Sequence, residues 1–369
     1  MLIYIIPALL PLVFAILYEL KIIKNGKFLY GALFFLIGLI GGLRFQTGDD
    51  WEGYQDYFYN IDLSYNIVDS YFSNIVNTQF EIGYFFFNYL VKFFGGNYPF
   101  VFFIASIFCS YSVYRFTRRF DGNKFYILLI YIGFSFILLH FNEIRQSIAI
   151  SFFLLGCDYY LKHEKKIPAL IICLFGLFFQ FSAVLYIFIL LLIFYFPMGK
   201  KYYILAILSL LIIYLISTYL DPFYLISFLL PTSLSFKINI YREYQQLGRG
   251  SGQGMYGVYL FICVMYLLYY SRYLKLPQYQ FVCRYAIFSL LITIFVIFAF
   301  PANYVMFNRA YVLSSIFQGY AASLILNAKK TSLHKLFFIL SISASLIFYF
   351  RILYISAANY IPYRSIFFH

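Results

Sequence analysis

Residues 124–166 read KFYILLIYIGFSFILLHFNEIRQSIAISFFLLGCDYYLKHEKK. Two apolar runs, about 125–141 and 144–161, are parted by one polar turn around Asn142, Glu143, Arg145 and Gln146, and lysines close both far ends. A helix needs about 20 apolar residues to cross the hydrocarbon core, and somewhat shorter runs cross thin bilayers. The stretch therefore reads as a transmembrane helical hairpin, with its polar turn on one face and its lysines on the other.

The rest of the chain repeats that pattern. Of 369 residues, 63% are hydrophobic and 11% charged, against roughly 25% charged in soluble proteins. With 49 Phe and 41 Tyr, one or two aqueous cores could not bury the apolar load. The fold class is all-α, a polytopic membrane protein forming a single membrane domain over 1–369. We expect about 12 spans: 2–18, 28–43, 100–114, 125–141, 144–161, 167–180, 182–197, 202–220, 255–271, 281–300, 310–327 and 336–355. The two short runs at 167–197 have one broken helix pair as their alternative. Lys21, Lys24 and Lys27 follow the first run, and no positive region precedes it, so it is expected to be a span rather than a cleaved signal peptide.

The net charge of +13 would suggest nucleic acid in a soluble chain. Here the basic clusters (Lys21/Lys24/Lys27, Arg115/Arg118/Arg119/Lys124, Lys162/Lys165/Lys166, Lys200/Lys201, Arg272/Lys275/Arg284 and Lys329/Lys330/Lys335) instead mark cytoplasmic loops, and no nucleic-acid partner is expected. Residues 82–94 are apolar, but a span there would carry Arg118 and Arg119 outside. They are read as a short interfacial helix, and both termini then lie outside. Two large outer loops follow, 44–99 and 221–254. The second pairs an apolar half with a Gly-rich half bearing Arg242 and Arg249, a composition suited to a mobile binding loop. The five cysteines lie in apolar stretches without metal or disulfide spacing and read as small buried hydrophobes. No nucleotide-binding glycine motif is present, which argues against ATP-driven chemistry.

Chemistry is sought on the outer face, because topology already explains the cytoplasmic charges. Arg44, Arg145, Arg242, Arg249 and Arg309 lie there, and Arg145 and Arg309 adjoin spans, where a charge is costly and usually has a partner or a water-filled cavity. Guanidinium groups grip phosphate bidentately, so the set could converge on a diphosphate. The competing explanation pairs each with a neighbouring acid (Arg145 with Glu143, Arg44 with the aspartates) or lets it reach to headgroups. In 42–58, GLRFQTGDDWEGYQDYF, Asp50 and Glu52 form an acidic pair able to hold a divalent cation. Alternatively Asp50 or Asp49 is a general base, or the stretch is a solvated helix start. Trp51, Tyr54 and Tyr57 would offer flat faces to sugars. His140, at the outer end of a span, is either a base or a hydrogen-bonding interface residue. Gln180 and Ser182 either bind sugar hydroxyls or cap a helix.

Arg44, Gly48, Asp50 and Tyr54 make an R-x3-G-x-D-x3-Y pattern, Glu81-Ile82-Gly83-Tyr84 an E-x-G-Y, and Asn142, Ile144, Arg145, Gln146 and Ala149 an N-x-IRQ-x2-A. Together they resemble the EpsG-like branch of the Wzy-type polysaccharide polymerases, which includes O-antigen polymerases. The motifs lie within 42–183, while the hydrophobic layout is similar over most of the chain. One departure stands at Phe179-Gln180-Phe181-Ser182-Ala183, where the family often carries a His. If that His is a base elsewhere, His140 or an acid must replace it here.

The resemblance implies a glycosyltransferase of surface-polysaccharide (O-antigen, lipopolysaccharide) biosynthesis in the bacterial inner membrane, with its active site facing the periplasm. It joins undecaprenyl-diphosphate-linked glycan repeats. Membrane lipid is a further partner, and a separate chain-length regulator is one such proteins can have. On this reading Arg145 and Arg309 hold the diphosphate, and Arg242 and Arg249 close over it. Arg44 fixes Asp50 or binds phosphate, and Asp50 is the base or orients the acceptor. Gln146, Tyr54, Glu81 and His140 contact substrate, and no cofactor or metal is required. Two alternatives remain open. One is a metal-dependent GT-C-type glycosyltransferase with a divalent cation at Asp50 and Glu52. The other is a flippase for lipid-linked oligosaccharide, although transporters place charge at mid-membrane and often show repeated halves.

Overall fold

Within hydrocarbon no water satisfies a backbone N–H or C=O, so chains this apolar cross as helices. The computed structural model describes residues 2–78, 80–120, 122–195, 253–299, 304–328 and 331–367. The expected span at 202–220 and almost all of the loop at 221–254, with Arg242 and Arg249, lie outside the described residues.

The described residues are helical, with no strand beyond one antiparallel bridge between Arg44 and Ser365. In order come α1 (Leu2–Glu19), α2 (Lys27–Gly42), α3 (Trp51–Asn60), α4 (Ile67–Thr78), α5 (Ile82–Phe93), α6 (Tyr98–Thr117), α7 (Lys124–Tyr131), α8 (Ile144–His163), α9 (Lys166–Leu174), α10 (Ala183–Tyr195), α11 (Gln253–Tyr270), α12 (Pro277–Ala299), α13 (Tyr304–Ala328), α14 (Ser332–Ile355) and α15 (Ala357–Tyr360). Every expected span within the described residues coincides with a helix. Leu2–Glu19, Tyr98–Thr117, Pro277–Phe298 and Ser332–Ile355 are long and apolar enough by themselves to cross a membrane. The protein is an all-α polytopic membrane protein.

The sequence reading draws one membrane domain; packing gathers the chain into two compact units, Met1–Phe188 with Lys330–His369, and Ile189–Lys329. In the first, α7 continues through π-helical turns at Ile132–Phe136 and Leu138–Asn142. These turns pack closely on α14: a Cβ at Gly133 would stand 2.3 Å from Ser345 Cβ. The two ends of the chain meet in this unit, where the Tyr4 hydroxyl donates to the Tyr360 carbonyl at 2.8 Å. In the second unit, buried polar groups join the helices, as they commonly do in lipid. Thr293 and Ser314 hydroxyls lie 3.0 Å apart, and Gln318 Nε2 donates to the Tyr259 hydroxyl at 2.8 Å.

The first large loop is more ordered than its sequence suggests, holding α3 and α4 in addition to the expected helix near 82–94, which is α5. In α3, Tyr54, Tyr57, Phe58 and Ile61 fall at i, i+3, i+4 and i+7, one helical face. That face is buried against Tyr84 and Phe85 of α5, Phe102 of α6 and Ile144 of α8. Lys92 of α5 caps the end of α3, its Nζ donating to the carbonyls of Phe58, Tyr59 and Ile61 at 3.2, 3.0 and 2.6 Å. The helix C-terminus, rich in unpaired carbonyls, favours this cation.

Two glycine substitutions test this packing in opposite directions. Gly133→Val forces α7 from α14 and should cost about 1–3 kcal/mol of overpacking, read as a lower thermal midpoint in detergent. Gly53→Ala meets nothing within 4 Å and lies inside α3, so the midpoint should hold or rise.

Candidate active site

Arg145 sits in the first turn of α8, directly after the polar break that separates it from the π-turns. Its Nη1 lies 2.5 Å from Glu81 Oε2, and its guanidinium stacks 4.3 Å over the Phe80 ring. The Tyr54 side chain is hydrogen-bonded to it. The adjacent Glu143, which local sequence offers as a partner, is replaced in the ion pair by an acid 64 residues distant. Both charges are largely enclosed, with side-chain exposures of 17% and 12%. Arg145 Nε is buried without a hydrogen-bond partner among the described residues.

Glu81 binds in two directions. Its Oε1 accepts the Phe181 N–H at 3.3 Å, and this residue belongs to the 179–183 turn where the family's histidine is replaced. Gly83 makes that approach possible, since a Cβ there would stand 2.7 Å from the Phe178 carbonyl oxygen. The E-x-G-Y, N-x-IRQ and 179–183 segments thus meet at one ion pair, and Tyr54 brings in the R-x3-G-x-D-x3-Y segment.

The turn preceding α8 holds a second cluster. Asn142 Oδ1 accepts the Asp49 N–H at 3.1 Å, and Asn142 Nδ2 donates to Asp49 Oδ2 at 2.9 Å. Two C-terminal residues join in: Asn359 Nδ2 donates to Asp49 Oδ1 at 2.7 Å, and the Tyr360 hydroxyl lies 3.0 Å from Asp49 Oδ2 and 2.8 Å from Asn142 Oδ1. Gly48 has φ of +113°, and a Cβ on it would stand 2.4 Å from the Phe141 carbonyl oxygen, so no other residue fits there.

Arg44 takes neither of its expected places. Its guanidinium is completely buried, 4.1 Å over the Phe102 ring and 5.5 Å from Phe141, and donates through Nη1 to the Thr47 carbonyl. Nε and Nη2 have no partner, and among the described residues it forms no ion pair. Burial pulls its pKa down to about 10 while the surrounding tyrosines push the other way, leaving it charged near neutrality. Instead of holding Asp50, Arg44 braces the 44–49 turn from inside.

Other expected contacts also lie inside the protein. Gln146 is buried and donates to the Tyr186 hydroxyl at 2.7 Å. Tyr54 and Tyr57 pack in the aromatic core, where burial raises both hydroxyl pKa values and nearby Arg145 opposes it. A neutral phenol is the form that results. His140 is fully enclosed, with Nδ1 2.6 Å from Ser106 Oγ and Nε2 2.6 Å from the Tyr131 hydroxyl. Because Ser106 Oγ donates to the Gly38 carbonyl, Nδ1 is assigned the ring proton and Nε2 accepts from Tyr131. Both nitrogens are engaged by protein, so His140 is a packing residue here rather than an accessible base.

Asp50 is exposed at the N-cap of α3, and Glu52 is exposed one turn-start later. Among the described residues no group of three or more His, Cys, Asp or Glu side chains is placed to hold a metal ion. Arg309 lies half-buried on α13 in the second unit. Sequence reasoning missed Asn359 and Tyr360. The available signal was parity: if both termini lie on the outer face, the tail after the last span shares a face with the 44–49 turn.

Glu81→Ala removes both the counter-ion of Arg145 and the acceptor for Phe181 N–H, and should cost about 3–5 kcal/mol. The readouts are the thermal midpoint and amide exchange at Phe181. Glu81→Gln, which keeps an acceptor, should fall between wild type and Ala.

No curated protein and no solved structure matches the chain. The model of the EpsG family matches residues 27–365, nearly the whole length. The three motifs that carry the resemblance lie within that match and meet at the Arg145–Glu81 pair and the Asp49–Asn142 cluster. The chain belongs to the EpsG family, whose members are associated with membrane-embedded polysaccharide polymerases.

Proposed function

We propose that this protein polymerises undecaprenyl-diphosphate-linked oligosaccharide repeats, of O-antigen or a related surface polysaccharide, at the periplasmic face of the inner membrane. The observation that carries this reading is the convergence of four sequence segments, 44–54, 80–84, 142–146 and 179–183, on the shared turn that opens α8. Segments so far apart in sequence are brought together at the start of α8, and this supports the reading of a shared site there.

In the reaction a hydroxyl at the non-reducing end of the acceptor repeat attacks the anomeric carbon of the donor chain. The new glycosidic C–O bond forms as the bond from that carbon to the diphosphate oxygen breaks. The hydroxyl proton passes to a base, and undecaprenyl diphosphate departs with the electron pair. A diphosphate is already a good leaving group, so the protein has mainly to stabilise the charge that builds on it and orient the acceptor.

Arg145 is the group for that charge. Its ion pair with Glu81 keeps it extended and fixed before substrate arrives, and its unpartnered Nε leaves one donor unspent. The family resemblance gives Arg309, Arg242 and Arg249 a phosphate role as well, on sequence grounds alone. Asp50, exposed beside the fixed Asp49, is the candidate base or acceptor-orienting group. Tyr54, Gln146, Glu81 and Arg44 act behind these groups and hold them. No metal is required in this scheme. A lipid bilayer and the lipid-linked glycan are the partners, and a chain-length regulator would act on the same product.

Purified protein given undecaprenyl-diphosphate-linked repeats should produce a ladder that survives EDTA. Arg145→Ala should lower kcat by about 100-fold, the scale for one electrostatic donor, with the protein still folded. A ladder abolished by EDTA and restored by a divalent ion would move the chemistry to Asp50 and Glu52. An active Arg145→Ala enzyme would remove the central residue, and folded protein that makes no ladder would direct the next assay to lipid flipping.

A further inference from the structure

The C-terminal segment after α14 carries no acid and no family motif, yet it makes an unusual number of contacts with the 43–49 turn. Phe45 N–H donates to the Arg364 carbonyl at 2.9 Å, and Ile366 N–H to the Leu43 carbonyl at 3.0 Å, forming an antiparallel bridge between Arg44 and Ser365. Gly48 N–H donates to the Asn359 carbonyl at 2.9 Å. Tyr360 is fully buried and stands edge-on to Tyr4, with ring centroids 6.3 Å apart. The strap is therefore anchored on the same elements as the turn.

Its side chains meet at Asp49. The carboxylate of this exposed residue takes donors from Asn142, Asn359 and Tyr360, all uncharged and from two segments far apart in sequence. Hydrogen bonds at an exposed carboxylate add little to stability, because water competes for the same acceptor. They do restrict its rotamers, and restriction is what a reacting constellation requires from its supporting residues. The Asp49 N–H is also bound by Asn142 Oδ1 at 3.1 Å, so the backbone that leads into Asp50 at the start of α3 is held as well.

We propose that 359–366 is a working part of the candidate active site, and that Asn359 and Tyr360 are positioning residues that hold Asp49, and through it Asp50, toward the acceptor sugar. The inference rests on the polymerase reading for its substrate. Neither residue touches the reacting atoms; both act through the Asp49 carboxylate. Tyr360 also fixes Asn142, since its hydroxyl spans Asn142 and Asp49, and so ties the strap to the turn that leads into Arg145.

The test uses the full chain with Asn359→Ala and Tyr360→Phe, each alone and combined with Asp49→Ala. Each single variant should lower kcat about tenfold, the effect of misplacing a reacting group, with KM within about twofold. Amide exchange across 45–50 should quicken while the thermal midpoint holds. In the Asp49→Ala background neither change should lower kcat further, because residues acting through one group are not additive. Wild-type kcat with unchanged exchange would overturn the proposal. So would losses that multiply in the Asp49→Ala background, or a fall in midpoint that accounts for the lost activity. If wild-type protein makes no polymer, the polymerase reading fails by itself, and the exchange measurement then decides the strap: faster exchange at 45–50 supports it, and unchanged exchange overturns it.

Discussion

The ion pair between Arg145 and Glu81 organises the end of the bundle where α8 begins. A guanidinium in the first turn of a membrane helix needs a counter-charge, since desolvation there costs several kcal/mol if it stands alone. Glu81 supplies the charge at 2.5 Å and at the same time accepts the Phe181 N–H. One carboxylate therefore fixes the start of α5, the first turn of α8 and the 179–183 turn. Gly83 is needed for this geometry because the Phe178 carbonyl occupies the place of its Cβ. On the proposed reading the pair also has a chemical use: an arginine already held in place would meet a diphosphate without losing rotamer freedom at that moment.

The second cluster solves a related problem by different means. Asp49 is held by neutral donors rather than by a cation, and the nearest arginine in sequence, Arg44, is turned away to stack on Phe102 and Phe141. The two charges in the R-x3-G-x-D stretch are thus kept apart: the cation supports the turn from within, and the acids face outward. Arg44 and Asp50 therefore form no salt bridge with each other among the described residues.

The spanning helices were readable from sequence because lipid leaves the backbone little choice: each expected span within the described residues falls on a helix, whereas α3 and α4 in the first loop were not foreseen. That Arg145 needs a partner was readable for the same reason: a charge beside a span is costly to leave alone. Its partner was not, since Glu81 lies in a segment that sequence alone reads as a loop before an interfacial helix. His140 misled for a physical reason. A lone polar ring at a helix end looks accessible, but Gly41 lets the neighbouring helix close on it and Ser106 and Tyr131 take both nitrogens. Tyr54 and Gln146 look like sugar contacts by residue type, yet i, i+3, i+4 burial of α3 and the Tyr186 hydroxyl draw them inside. Asn359 and Tyr360 carry no charge and no motif, so only the meeting of the chain ends reveals them.

On the proposed reading the lipid diphosphate binds at the end of the bundle where α8 begins. Photolabelling with a diazirine-bearing polyprenyl diphosphate, followed by mass spectrometry of the labelled peptides, tests this directly. Labels within 44–54, 80–84, 142–146 and 179–183, competed by unlabelled polyprenyl diphosphate, are the expected result. Competed labels confined to the lysine-rich opposite end, around 21–27 and 118–124, would contradict it.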